Sequence, residues 1–371
     1  MILVGEASGD AHAAEFVSHI RQLNPDIFIS GMGTTEMQKA GVEVFFDSST
    51  IAVMGLIEVL KHWSDIKRAM AIVKQQLDKT RPDLLVLVDY PEFNLKMARH
   101  ARELGIRVLF YISPQVWAWR PRRIHKIGRL IDHMAVIFKF EKAYYERANI
   151  PVSFVGHPLV DKVTSSRSPD VVRPQLGLGQ DTTVIGLFPG SRKSEIDRLL
   201  PLMLATARQM SETKQQLQFV LPVAAALDLD VIKRRCDQSQ LDIKVSRDNI
   251  YDLITCCDSI ISCSGTVTLQ IALLGVPMCI VYKMSGISYA VISRLITIPH
   301  VGLVNIVAEK SVVQEFLQND ATVDNVSREM IKIIDDKDYR KRITNGLLTV
   351  RENLGEGGGS AQMARLVLSF L

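Results

Sequence analysis

Short apolar runs alternate with helical segments along the whole chain, and this rhythm constrains the fold more than any other feature of the sequence. The runs are rich in β-branched residues without apolar–polar alternation, which is typical of parallel strands covered by helices on both faces. The predicted strands lie at 2–4, 27–33, 42–46, 84–90, 107–113, 133–138 and 152–157, and then at 182–191, 216–223, 243–246, 258–265 and 278–283.

The alternation of predicted strands and helices is interrupted once, at 158–181, where three prolines and several serines replace the strand pattern. We therefore predict an α/β protein of two Rossmann-like domains with parallel sheets, 1–160 and 182–345, joined by a linker at 161–181 and facing across a cleft. A length of 371 residues suits two domains of ordinary size. The helical tail, 346–371, is expected either to pack on the first domain or to cross to a second chain, which would make a homodimer.

The composition of the chain and the spacing of its cysteines and histidines indicate where the protein is located and whether it binds a metal. The chain runs directly into its first strand without a basic leader, and no apolar run is long enough to span a membrane, so we expect a cytoplasmic location. The five cysteines show no CxxC spacing and the eight histidines no HxxxH spacing, which favours buried thiols over a metal site. We expect no metal and no cofactor.

Two strand-end loops of the second domain have small residues at the start of a helix, and one of them carries an arginine. Ligands of such sheets bind beyond the carboxyl ends of the strands, where helix N-termini offer free N–H groups to anions. An arginine can in addition donate two parallel hydrogen bonds to one phosphate. The sequence thus predicts a diphosphate site, with ordinary helix caps as the alternative. The residues are Gly190, Ser191 and Arg192 in one loop and Ser264, Gly265 and Thr266 in the other.

The first domain offers a candidate base. Asp89 in VDYPEFN (88–94) follows an apolar strand, so its carboxylate is expected at the edge of the cleft, where it could take a proton from an attacking hydroxyl. Glu92 lies nearby, as does Glu6 in GEASGD (5–10). A helix-capping role for Asp89 is the alternative. The loop 5–10 is not GxGxxG, so a dinucleotide site is not supported.

A basic window lies beside two tryptophans. From Leu104 to Ile131 there are six Lys or Arg and no acid, although the whole chain has a net charge of only +4. If Pro121 begins a helix, a rotation of about 100° per residue separates a basic face from an apolar one. We expect the basic face to meet an anionic membrane surface and a phosphate; the alternative is a solvated basic helix with Trp117 and Trp119 in the core. The basic face comprises Arg122, Lys126 and Arg129, and the apolar face Ile124, Ile127 and Ile131.

Taken together, these motifs resemble the lipid-A-disaccharide synthase family of GT-B glycosyltransferases. The matching segments occur in the family's order from the first strand to about residue 310. They are GEASGD (5–10), AVMGLIEVL (52–60), VDYPEFN (88–94), YISPQVWAWRPRRIHKIGR (111–129), FEKAYYE (140–146), FVGHPL (154–159), FPGSR (188–192), SGT (264–266) and GLVNIVA (302–308).

The resemblance implies an inverting transfer of 2,3-diacylglucosamine from UDP to the 6-hydroxyl of 2,3-diacylglucosamine 1-phosphate. It implies that Asp89 and Arg192 are catalytic and that the enzyme works at the cytoplasmic surface of the inner membrane. Nucleic acid is not expected as a partner. Donor binding is expected at Gly190, Ser191, Arg192, Ser264, Gly265, Thr266, Gln270 and Asn305. Acceptor and lipid binding is expected at Glu6, Ser8, Gly9, Asp10, Met54, Gly55, Trp117, Trp119, Arg120 and Arg122.

Some positions depart from the family's pattern. Gln270 stands where the family usually has a glutamate that, in related enzymes, holds the ribose hydroxyls; an amide can still bond to a diol but lacks the charge. Three alternatives stay open at this point: a UDP-sugar 2-epimerase, a different UDP-sugar transferase, and a non-catalytic protein that binds lipid or nucleic acid.

Overall fold

A computed structural model of the chain describes residues 1–51, 62–119, 122–284 and 298–371, with the side chain of Trp119 outside this description. The strands are β1 (Ile2–Val4), β2 (Ser30–Gly33), β3 (Glu43–Asp47), β4 (Leu84–Val88), β5 (Arg107–Tyr111), β6 (His133–Val136), β7 (Val152–Phe154), β8 (Thr183–Phe188), β9 (Leu217–Pro222), β10 (Ile243–Ser246), β11 (Ser259–Cys263), β12 (Met278–Tyr282) and β13 (Glu315–Leu317).

Helices lie between most of the strands and continue to the end of the chain. They are α1 (Ala7–Leu23), α2 (Thr35–Lys39), α3 (Trp63–Thr80), α4 (Pro91–Glu103), α5 (Val116–Trp119), α6 (Arg123–Gly128), α7 (Lys139–Arg147), α8 (Leu159–Lys162), α9 (Pro169–Gln175), α10 (Lys193–Thr213), α11 (Leu229–Asp237), α12 (Ile250–Thr255), α13 (Val267–Leu273), α14 (Leu303–Ala308), α15 (Val323–Asp335), α16 (Lys337–Leu354) and α17 (Gly359–Leu368), with short 3₁₀ turns at Ser48–Ile51 and Gln318–Asp320.

The strands form two parallel sheets, as predicted. The first has the order β3-β2-β1-β4-β5-β6-β7 and the second β10-β9-β8-β11-β12-β13. All twelve predicted strands are present, but β13 was missed. It has only three residues, of which Phe316 alone is buried, so it lacks the apolar run that identified the others.

In each sheet the strand order reverses once, and the crevice at such a reversal is where α/β sheets bind ligands. The reversal of the first sheet lies between β1 and β4, and that of the second between β8 and β11. The four loops that carry the predicted catalytic and phosphate-binding motifs follow these four strands. Burial fits the sequence pattern: every residue of β4 and of β11 is buried, because helices cover both faces.

The chain divides into two compact units, one formed by Met1–Val160 with Leu354–Leu371 and the other by Asp161–Asn353. In the first unit, α17 packs on α1, and the hydroxyl of Ser360 donates to the carboxylate of Glu15 at 3.0 Å. The segment proposed as a linker is bonded to the second unit, where Ser165, Ser166 and Arg167 all donate to the buried carboxylate of Asp252.

Candidate functional site

A cavity of about 410 Å³ lies at the strand-order reversal of the second sheet. It is bounded by the loop after β8 and the loop after β11, which are the two loops singled out for a diphosphate. Seven of the eight predicted donor-binding residues line it: Gly190, Ser191, Arg192, Ser264, Gly265, Thr266 and Gln270. These residues lie up to 80 positions apart in the sequence, and the parallel sheet brings them together because β8 and β11 are neighbours.

The loop after β8 turns sharply into the 21-residue helix α10. Gly190 has a φ of 117°, a conformation that side chains other than glycine rarely adopt. The backbone N–H groups of Ser191 and Arg192 then point toward the side chain of Glu195, whose Oε2 accepts from both at 2.9 and 3.1 Å. The side chain of Arg192 is 65% exposed, and its guanidinium lies 3.2 Å from Oε1 of the same carboxylate.

The loop after β11 forms the opposite wall. A Cβ atom added to Gly265 would meet nothing within 4 Å, so the cavity is open beside this residue. The hydroxyl of Ser264 donates to the carbonyl oxygen of Val301 at 3.3 Å. Thr266 precedes α13, and Gln270 follows one turn later, half-buried and on the cavity side.

Part of the cavity lining was not predicted from the sequence. Residues at the end of β9 and after β9 and β10 also border the cavity, and the rule that ligands bind beyond strand ends could have identified them. None of them carries a motif that attracted notice. They are Pro222, Val223, Ala224, Asp248 and Ile250.

Asn305 does not line this cavity. Its side chain is buried, donates to the carbonyl of Val313 and to Glu315, and accepts from the N–H groups of Val312 and Val313. The carboxylate of Glu315 also accepts from the N–H of Val301, whose carbonyl receives the Ser264 bond. Asn305 is therefore linked to the cavity wall through other residues, and its geometry gives no support to direct donor contact.

In the first unit, Asp89 and Tyr90 are two successive residues in the left-handed region, with φ of 47° and 46°. Such strain concentrates at functional sites and persists only where the surroundings enforce it. Here the amide of Asn94 holds the carbonyl oxygen of Asp89 at 2.7 Å, and the hydroxyl of Tyr90 donates to the carbonyl of Ile51. Burial raises the pKa of the Asp89 carboxyl, although a bond from the Tyr90 backbone N–H opposes this.

The loop 5–10 lies against this strained pair. A Cβ added to Gly5 would be 2.2 Å from the ring of Tyr90, so glycine is needed for the ring to lie there. Ser8 is exposed, and Glu6 precedes α1. Asp10 is fully buried, and its carboxylate accepts from the N–H and hydroxyl of Thr34, both at 2.6 Å, which fixes the start of α2. The carboxylate of Asp10 therefore joins α1 to the start of α2 instead of facing a ligand.

Gly9 has a similar packing role. A Cβ added to it would be 2.9 Å from a methyl of Val4, so the residue lets α1 approach β1 closely. The predicted lipid residues Met54 and Gly55 lie outside the described residues, as does Arg120.

The tryptophan segment differs from the prediction. Trp117 is only 4% exposed, and its indole N–H donates to Glu141 at 3.0 Å, so the side chain cannot meet a membrane. The prediction of a lipid-facing Trp117 was wrong, because the strand-end position alone does not show that α7 covers the ring. The side chain of Trp119 lies outside the description.

Helix α6 has the two faces that the periodicity predicted. Ile124 and Ile127 are buried, whereas Arg122 and Lys126 are exposed. The same division continues just beyond the helix, where Ile131 of the apolar face is buried and Arg129 of the basic face is exposed. The helix begins at Arg123, two residues later than expected, and Pro121 is outside the described residues. An ion pair of 2.7 Å joins Arg123 to Glu92 of α4.

Three further features concern metal ligands, membrane-spanning helices and cysteines. Within 1–51, 62–119, 122–284 and 298–371 there is no group of three His, Cys, Asp or Glu side chains that could hold a metal ion. None of the helices described in these ranges is both long and apolar enough to cross a membrane. The five cysteines are all buried.

Comparison with known proteins gives a consistent result. The family model "Lipid-A-disaccharide synthetase" matches residues 1–364. The lipid-A-disaccharide synthase of Geobacter sulfurreducens is 48% identical over 371 residues, which is all of this chain and 97% of that protein. The enzyme of the same name from Coxiella burnetii is 40% identical over the same length, which is 98% of that protein.

Solved structures with low identity share the fold. UDP-GlcNAc 2-epimerase from Neisseria meningitidis, bound to UDP-GlcNAc, superposes with a TM-score of 0.63 at 13% identity and covers 99% of both chains. MurG from Acinetobacter baumannii superposes with a TM-score of 0.59 at 12% identity, over 99% of this chain and 98% of that one. At these identities the likeness establishes the architecture alone.

Proposed function

Since the chain belongs to the lipid-A-disaccharide synthase family, we propose that the cavity of its second sheet holds the UDP of the donor and that Asp89 is the base for the acceptor hydroxyl. The enzyme is a UDP-sugar-dependent glycosyltransferase that joins UDP-diacylglucosamine to lipid X, the diacylglucosamine 1-phosphate. Family membership decides against the epimerase alternative, which the shared fold alone could not exclude.

One observation carries the assignment of the donor site: two strand-end loops, both beginning helices, converge on one cavity at the strand-order reversal. A diphosphate there would accept hydrogen bonds from the N–H groups of Ser191 and Arg192 and a bidentate bond from the Arg192 guanidinium. The nearby Gln270 would reach a ribose hydroxyl. The uracil ring would lie against the residues at the ends of β9 and β10 that border the cavity.

The chemistry is a single displacement. The 6-hydroxyl oxygen of the acceptor attacks the anomeric carbon of the donor, the bond from that carbon to the diphosphate breaks, and UDP leaves with its electron pair. Asp89 takes the hydroxyl proton, and burial favours this because it raises the pKa of the carboxyl. Arg192 and the N–H groups at the start of α10 stabilise the negative charge that grows on the leaving diphosphate.

The donor site is tested by Arg192→Ala, with Lys193→Ala as the matched control. Lys193 is the next residue, has the same charge, is 83% exposed and pairs with Asp197 on the helix surface. We expect Arg192→Ala to lower the rate of UDP release by at least about a hundredfold, as for loss of a group that stabilises transition-state charge. Lys193→Ala should stay near wild type. Full activity in Arg192→Ala, with normal folding, would contradict the assignment.

The membrane surface is a second part of the proposal. Trp63 is 41% exposed, and the ammonium groups of Lys67 and Lys96 lie 5.6 and 5.5 Å from the centre of its ring. Lys96 and Glu92 are one turn apart on α4, and Glu92 pairs with Arg123 of α6. An exposed tryptophan among lysines is typical of a membrane interface.

Trp63 and α6 are thus both in contact with α4, through Lys96 and Glu92 respectively. We assign this surface to contact with anionic lipids at the cytoplasmic face of the inner membrane, where both diacylated substrates would be held. The exposed basic residues are Lys67, Lys96, Arg122, Lys126 and Arg129.

A further inference from the structure

The N–H groups assigned to the donor's diphosphate are already occupied by an anion of the chain itself. Oε2 of Glu195 accepts from the N–H of Ser191 at 2.9 Å and from the N–H of Arg192 at 3.1 Å. Its other oxygen, Oε1, lies 3.2 Å from the Arg192 guanidinium. One carboxylate therefore engages both backbone donors and the cation that the diphosphate would need.

The loop is shaped around this carboxylate. A Cβ atom added to Gly190 would lie 2.2 Å from Oε2 of Glu195, so only glycine leaves room for it. An oxygen that accepts from two successive N–H groups at the start of a long helix occupies the position in which such helices bind a phosphate oxygen. Glu195 is 21% exposed and lines the cavity, so its side chain has space into which to rotate.

We infer that Glu195 is an internal competitor of the donor's diphosphate. The inference rests on the proposed donor site. When the donor binds, its diphosphate takes the N–H groups of Ser191 and Arg192, the Glu195 carboxylate rotates away, and the Arg192 guanidinium exchanges one anion for the other. When UDP is the product, return of the carboxylate to the same donors favours its release and keeps the loop in shape for the next donor.

Glu195→Gln tests this inference, because glutamine has the same shape and can still accept from an N–H but carries no charge. Asp197→Asn is the matched control: it neutralises another acid of α10 that pairs with Lys193 and Arg235 outside the cavity lining. The affinities of UDP and of uridine are measured by calorimetry for each variant. Uridine has no phosphate and therefore does not compete with the carboxylate.

We expect Glu195→Gln to tighten UDP binding about tenfold, equivalent to about 1.4 kcal/mol, and to leave uridine binding unchanged. Asp197→Asn should change neither. In turnover, Glu195→Gln should lower the KM for the donor and also lower kcat where UDP release limits the rate. A merely structural cap would shift UDP and uridine together. If Glu195→Gln does not fold, Glu195→Ala replaces it. The affinity for UDP relative to that for uridine should then rise in the same way.

Unchanged or weaker UDP binding in a folded Glu195→Gln enzyme, relative to uridine, would overturn the competitor role. A wrong assignment of the donor site would give a different result, because UDP would then bind the Arg192→Ala variant as tightly as it binds wild type. If Arg192→Ala loses UDP affinity while Glu195→Gln does not gain it, the donor site stands and only the competition is refuted.

Discussion

The indole N–H of Trp117 donates a 3.0 Å hydrogen bond to the carboxyl group of Glu141, which is only 1% exposed. The other carboxyl oxygen of Glu141 accepts from the backbone N–H of Phe138 at 3.3 Å and so fixes the start of α7. One buried acid therefore joins α7 to the short helix α5, which follows β5 and precedes the basic helix α6. Burial raises the pKa of Glu141 to about 8, although the hydrogen bonds from Trp117, Phe138 and Ser113 oppose this.

The first prediction concerns the pH dependence of stability. Since the folded pKa of Glu141 is raised, the folded protein binds more protons than the unfolded chain between the ordinary carboxyl pKa and about 8. Its contribution to stability is therefore present at low pH and is lost as the pH rises through that window. Glu141→Gln should have a melting temperature that falls less between pH 5 and pH 9 than that of wild type.

Glu146→Gln is the control for this prediction, because Glu146 lies on the same helix, is 56% exposed and pairs with Lys142. Its melting temperature should follow wild type at every pH. Parallel curves for wild type and Glu141→Gln would show that Glu141 does not titrate in this range.

A second prediction concerns the base. Asp89→Asn preserves the shape of the side chain but cannot accept the acceptor's proton, so turnover should fall by about a hundredfold or more, while UDP affinity stays the same. Because burial raises the pKa of Asp89, the acidic limb of kcat/KM in wild type should lie above the ordinary range of an aspartate. Glu92→Gln, which changes a 77% exposed neighbour, should retain activity. An Asp89→Asn enzyme with normal turnover would remove Asp89 from the mechanism.

A third prediction concerns Gln270, one of the residues that depart from the family's pattern. Gln270 lies on the cavity wall, and Gln270→Glu would place a charged acceptor beside the ribose. Charge-assisted hydrogen bonds are roughly twice as strong as neutral ones, so UDP should bind several-fold more tightly. The gain should disappear with 2′,3′-dideoxy-UDP, which has no hydroxyl to donate. An equal gain for both nucleotides would place the effect elsewhere in the cavity.

A fourth prediction concerns the membrane surface. Reversing the charges of Arg122, Lys126 and Arg129 to glutamate should abolish binding to vesicles that contain anionic phospholipid, because each basic residue near such a surface contributes about 1 kcal/mol. The matched control reverses three exposed basic residues of the second unit, Lys233, Arg234 and Lys341, and should bind as wild type does. Trp63→Ala should weaken binding without affecting its dependence on salt. Unchanged binding by the first triple variant would refute this surface.

Local patterns determined much of this protein. The length and apolar character of the strands fixed two parallel sheets, because covered strands need apolar side chains on both faces. The spacing of Ile124 and Ile127 against Arg122 and Lys126 determined the two faces of α6, since helical periodicity acts over a few residues. Glycine at position 190 likewise follows from the local turn, and the loop motifs and their order were enough to identify the family.

The tertiary structure decided which groups meet across long stretches of sequence. Asp10 looked like a ligand-binding acid but caps a helix that begins 25 residues later, and Trp117 is buried because Glu141 lies 24 residues further on. Glu195 is close in sequence to the phosphate loop and caps its helix locally, but the folded structure places that carboxylate inside the cavity that β8 and β11 form together. Periodicity and motifs describe neighbours along the chain, whereas burial, pairing and the occupation of a site depend on contacts that form only when the sheets assemble.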